Sequence, residues 1–188
     1  LSVSGFLERK RAFEGSLLDV SRLSPANAYR PIAGATAATV GEACANELED
    51  EIQRLGPERI CAFIFEPVVG AAGGCVPAPG GYARRVRDIC DRHGILLILD
   101  EVMCGMGRTG TLHACLEEGI VPELLCLAKG LGAGYQPIGA VLIHRRVAET
   151  VARGSGAFQH GHTFMGHAAA CAGALAVQRR QCCAQSES

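Results

Sequence analysis

The chain has 188 residues, 48% apolar and 20% charged, with a formal net charge of −1. That is enough apolar material for a core of its own and too little charge for a disordered chain, and it gives no electrostatic reason to expect nucleic acid or an anionic membrane as partner. The longest apolar runs, such as ILLIL at 95–99, are far too short to cross a bilayer.

The start of the sequence lacks the charged, apolar and small-residue zones of a signal peptide, which points to the cytoplasm. Ten cysteines are present. Cys61, Cys90 and Cys126 lie singly in apolar segments and no C-x-x-C occurs, so the expectation is reduced thiols acting as small hydrophobes.

Residues 1–40 hold Pro25, Pro31 and few periodic runs, and read as irregular surface chain with room for one edge strand. From residue 41 helix-period and strand-like segments alternate. GEACANELEDEIQRLG predicts an amphipathic helix ending at Gly56, ICAFIFEPV a strand, and GYARRVRDICDRHG a helix stopped by Gly94. ILLILDEV, LLCLA and GAVLIHR read as further strands, and HAAACAGALAVQ as a helix. This order predicts an α/β fold on a mainly parallel sheet flanked by helices. Strands so uniformly apolar are expected to be covered on both faces. The boundaries expected are 1–40, a core over 41–178, and an atypical polar tail, RRQCCAQSES, whose last ten residues are 179–188.

In such sheets ligands bind beyond the carboxyl ends of the strands. Glu66-Pro67, Asp100-Glu101 and Lys129 stand at those junctions. GMGRTG at 105–110 fits the dinucleotide pattern G-x-G-x-x-G, but acids intervene between strand and glycines, and the next strand ends in Ala128-Lys129 instead of an acid. AKGLGAG puts its lysine before the glycines, the reverse of a phosphate loop. His160, His162, His167 and Cys171 invite a zinc reading; a histidine near the start of a small-residue helix is more simply a cap or packing residue. What remains is Asp100 and Lys129, twenty-nine positions apart. The residues alone leave two readings open: a plain ion pair, or the acid and lysine that a pyridoxal phosphate enzyme needs.

At these residues the sequence closely resembles the class III (ω-amino acid type) aminotransferases. FEPVVGAAGGCVPAPGGY, ILLILDEVMCGMGRTG, LLCLAKGLGAGYQPIGAVL and HGHTFMGHAAACAGALAV occur in family order and cover about residues 60–178. The resemblance implies the large cofactor domain of a fold-type I transferase dependent on pyridoxal 5′-phosphate. It implies Lys129 as the Schiff-base lysine and Asp100 as partner of the pyridine nitrogen. Val102 would pack on the ring, and Thr163 would donate to the cofactor phosphate of the neighbouring subunit in a homodimer with shared active sites. GMGRTG becomes a structural turn.

Two departures accompany the resemblance. Many relatives carry Gln where Met103 stands, and Met103 cannot make that hydrogen bond. Met103-Cys104-Gly105 is similar to the pattern of amine:pyruvate transaminases, which tilts the expectation toward an amine or ω-amino acid donor and a pyruvate-like keto acid. The chain is also much shorter than family members, so it is expected to be a central fragment lacking the glycine-rich phosphate turn, the ring-stacking aromatic and the small domain. The implied activity is ping-pong transamination; the alternative is a catalytically silent fragment that only associates with partner subunits.

Overall fold

The computed structural model describes the backbone of residues 1–186 and the side chains of residues 1–181. Helix α1 (Val40–Leu55) buries Val40, Cys44, Ala45, Leu48 and Ile52, one face at helical period. Gly56, at φ +88°, ends it by donating its amide to the Ile52 carbonyl. After the short strands β1 (Ala62–Phe65), β2 (Val68–Val69) and β3 (Val76–Pro77) comes α2 (Tyr82–His93). It buries Tyr82, Val86, Ile89 and Cys90 against α1 and stops at Gly94 in the left-handed conformation.

Strands β4 (Leu96–Asp100), β5 (Leu124–Leu127) and β6 (Ala140–Ile143) complete a four-stranded sheet in the order β1-β4-β5-β6. The β1–β4 and β4–β5 pairs are parallel and β6 runs antiparallel to β5. β2 and β3 form a separate antiparallel hairpin that reading the sequence did not anticipate. The α/β class and the mainly parallel sheet are as expected.

Cover on both faces is not what the structure has. Leu97, Leu99, Leu125 and Leu127 are buried and join the core with α1 and α2, whereas Leu96, Ile98, Leu124 and Cys126, on the opposite face, are only partly covered. Val141, Leu142 and Ile143 of β6 are exposed. An apolar strand shows that a face needs cover, and does not show which segment supplies it.

Three other regions differ from expectation. Residues 1–40 form two 3₁₀ turns, Leu7–Arg9 and Arg11–Ser16, and no strand. Arg145–Arg153 is a helix, α3, with no buried residue, opened by the His144 ring, whose Nδ1 accepts from the Arg146 amide. Helix α4 (Ala168–Ser186) runs straight through the polar tail. Ala170 and Ala174 are buried, and in line with them the Gln181 amide donates to the Met106 carbonyl at 3.0 Å. Residues 187 and 188 of the tail lie outside the described residues.

A buried carboxylate ties the amino end of the sheet together. Glu123, 6% exposed, just precedes β5. Its Oε2 accepts from the Leu97 amide (2.7 Å) and from Arg87 Nη1 (2.8 Å), and its Oε1 from Arg146 Nη2 (2.6 Å). This fastens α2, β4 and α3 at one end of the sheet and leaves the other end, where β4 and β5 terminate, for the candidate site.

Candidate active site

Parallel strands β4 and β5 point their carboxyl ends the same way, and Asp100 is in register with Cys126, three residues before Lys129. The acid and the lysine therefore emerge side by side from one end of the sheet. Asp100 lies on the partly covered face. Its Oδ1 accepts from the Val102 amide at 3.0 Å, and its Oδ2 has no protein donor among the described residues. Lys129 opens a 3₁₀ turn (Lys129–Leu131) at φ +43°, a left-handed conformation uncommon for a residue with a side chain. It is exposed and makes no ion pair among the described residues, so the plain Asp100–Lys129 salt bridge is not present.

The glycines after the lysine answer to space. A Cβ on Gly130 would lie 2.9 Å from Met106 Cβ, and one on Gly132 would lie 2.5 Å from the Gln136 carbonyl. Met106 belongs to GMGRTG, which is a turn: Gly107 and Gly110 have φ of +90° and +102°, and a short 3₁₀ turn at Ala114–Leu116 follows it. No long helix opens there, and the dinucleotide reading falls on that ground.

The third strand-end junction is drawn in as well. The Glu66 carboxylate accepts from the Gly70 amide at 2.8 Å, and a Cβ on Gly70 would come within 3.0 Å of Met103 Cβ. Met103 thus makes an apolar lid on the Glu66 loop beside half-buried Val102.

Thr163 is exposed on the loop between α3 and α4, which makes no hydrogen bond to β4, β5 or the lysine turn among the described residues. A groove of about 370 Å³ lies next to this loop, lined by Gln136, Ile138, Phe164, His167, Ala170 and Cys171, and includes neither Asp100 nor Lys129. His167 Nδ1 accepts from the Ala170 amide, the cap role foreseen for it, and His160, His162, His167 and Cys171 are not gathered into a metal-binding group.

Reading the sequence placed Glu101 at the end of β4 but gave it no role. Only 1% exposed, it accepts from the Ala114 and Cys115 amides at 2.9 and 2.8 Å, with His113 Nδ1 3.6 Å away. The signal available was strand alternation, which turns residue 101 away from the face that carries Asp100.

Comparison with known proteins accords with this geometry. The profile of the family described as aminotransferase class-III matches residues 1–180. An aminotransferase of Gibberella zeae is 48% identical over 95% of this chain and 36% of its own length. A PLP-bound amine transaminase from an uncultivated Pseudomonas species superposes with a TM-score of 0.82 at 42% identity, over 87% of this chain and 37% of that one. The ω-transaminase of Pseudomonas jessenii, solved in complex with PMP, gives 0.85 at 36% identity, over 95% and 40%. The chain thus has the architecture of the fold-type I transferases, and it spans well under half the length of the proteins it matches.

Proposed function

Because this chain belongs to the class-III aminotransferase family, we propose that it is the central part of the cofactor domain of a pyridoxal-phosphate-dependent transaminase. Residues 41–178 would form the cofactor-binding core, residues 1–40 its amino-terminal part, and 179–188 the atypical polar tail. The observation that carries this reading is the emergence of Asp100 and Lys129 from adjacent parallel strands with Asp100 Oδ2 and the lysine amine both unengaged by protein groups among the described residues. An acid and an amine left available at one strand end fit an aldehyde cofactor with a basic ring nitrogen.

Pyridoxal phosphate, when bound, supplies an electron sink for bonds broken at the amino-bearing carbon. In this reading Lys129 would hold it through Nζ and would be the group that holds or moves a proton there. Asp100 would keep the ring nitrogen protonated. Val102 would lie against the ring, with Met103 as an apolar neighbour. Thr163, which is exposed, would serve the phosphate site of a second copy, in a homodimer with shared sites.

The donor is an amine or ω-amino acid and the acceptor a pyruvate-like keto acid, used in two ping-pong half-reactions; similarity to an amine transaminase supports that choice. The test is borohydride reduction with pyridoxal phosphate followed by peptide mapping. The pyridoxyl label is expected on Lys129 and is expected to disappear in Lys129→Ala with the fold intact. A label on Lys10, the other lysine of the chain, overturns the assignment. So does the absence of any label, which would leave the silent, partner-binding fragment as the reading.

A further inference from the structure

We propose that Glu101 is a positioning residue, which fixes Asp100 and Lys129 relative to each other by holding the loop between them at four atoms. The inference rests on the roles assigned to Asp100 and Lys129 above. The Glu101 amide donates to the Cys126 carbonyl at 3.0 Å, fastening the end of β4 to β5 just beyond Asp100. Its carbonyl accepts from the Gly105 amide at 2.8 Å, which closes the turn after Val102 and Met103. Its two carboxylate oxygens take the Ala114 and Cys115 amides and so close the whole loop.

Two backbone N–H groups aimed at two different oxygens are satisfied only by a group that accepts at both, which a carboxylate does and an amide does not. The same carboxylate shapes the approach to the lysine. A Cβ on Gly105 would lie 2.8 Å from the Glu101 carbonyl and 3.1 Å from Oε2. Met106 follows Gly105 in a left-handed conformation at φ +60°, and it is Met106 that closes on Gly130, next to Lys129. Contact therefore runs from the Glu101 carboxylate through Gly105 and Met106 to the lysine turn. None of these groups touches the reacting atoms.

Two substitutions test the role in the full-length enzyme reconstituted with pyridoxal phosphate. Glu101→Gln sets an amide N–H against a backbone N–H; Gly105→Ala keeps the carboxylate and presses on it. Both are expected to retain the borohydride label on Lys129, to weaken the visible circular dichroism band of the bound cofactor, and to lower kcat about tenfold to a hundredfold with the donor KM within about threefold. A lower melting temperature with an unchanged dichroism band and unchanged kcat would show a loop staple only and overturn the proposal. If Glu101→Gln does not fold, Gly105→Ala decides alone by the same readings. No label in the unsubstituted protein would overturn the functional reading and the positioning role together; normal label and dichroism unmoved by either substitution would overturn the positioning role alone.

Discussion

Asp100 stands opposite Cys126 in the parallel register of β4 and β5, and this pairing sets the lysine three residues later beside the acid without an ion pair between them. If Asp100 holds the proton of the ring nitrogen, Asp100→Asn keeps the acceptor for the Val102 amide and replaces the charged Oδ2 by a neutral amide N–H donor. The expected result is a fall in kcat on the order of a hundredfold or more with little change in KM, read by steady-state kinetics. Near-normal turnover would exclude the role.

Much of this site was legible because strand ends and lysine are written locally. Gly56 and Gly94 stop α1 and α2 where their letters say, and the break from ILLIL to Asp100 marks a strand end. What stayed hidden depends on contacts far away in sequence. Alternation turns Glu101 away from Asp100, but nothing near it in sequence shows that Ala114 and Cys115 return to meet its carboxylate. Lys10, in the charged run ERKR, reads as exposed, yet it is 7% exposed with Nζ on the Ser2 and Ser4 carbonyls at 3.1 and 3.3 Å. Helix α3 carries Val147, Ala148 and Val151 on one face, a helical stripe that was there to read, although the folded chain buries none of it.

The Glu123 node sets the response to acid. Burial pushes its carboxyl up, but hydrogen bonds from Arg87, the Leu97 amide and Arg146 outweigh burial and hold it at about 2, against an ordinary 4.5. A folded-state value below the unfolded one means stability that is complete above about pH 4.5 and lost as pH falls toward 2, on the order of 3 kcal/mol in all. Glu123→Gln leaves the buried Arg87 with only the exposed Asp91 carboxylate, 2.7 Å away, and should cost about 3 kcal/mol near neutral pH while flattening the acid limb. Urea unfolding at a series of pH values checks both, and an unchanged acid limb would sink the argument.

The cysteines divide by burial. Cys44, Cys90, Cys104 and Cys115 are buried, whereas Cys61, expected inside, is exposed along with Cys75 and Cys171. Burial pushes Cys90 and Cys104 to about 11, and burial with the nearby Glu101 pushes Cys115 to about 12. Because the thiolate is the reactive form, a brief iodoacetamide pulse at neutral pH should label Cys61, Cys75 and Cys171 and spare the buried four. Mass spectrometry reads the pattern; early labelling of Cys115 would mean that the Glu101 loop opens in the folded protein.

The chain produced by itself should associate and be a poor enzyme. One face of the sheet is only partly covered, Val141, Leu142 and Ile143 are exposed on it or beside it, and Tyr135, Phe158 and Phe164 are at least 66% exposed nearby in sequence. Strand β1 is an outer strand of the sheet and offers its free backbone groups to another chain. If Thr163 serves the phosphate site of a second copy, as proposed above, a monomer lacks that contact. Each charge-assisted hydrogen bond missing costs about 1.5 to 3 kcal/mol, and two of them lower affinity by about a hundredfold or more. Size-exclusion chromatography with cofactor titration is the measurement, with dimers or larger species and weak binding expected. A stable monomer that binds pyridoxal phosphate tightly and transaminates would show that the open face and the shared threonine have been misread.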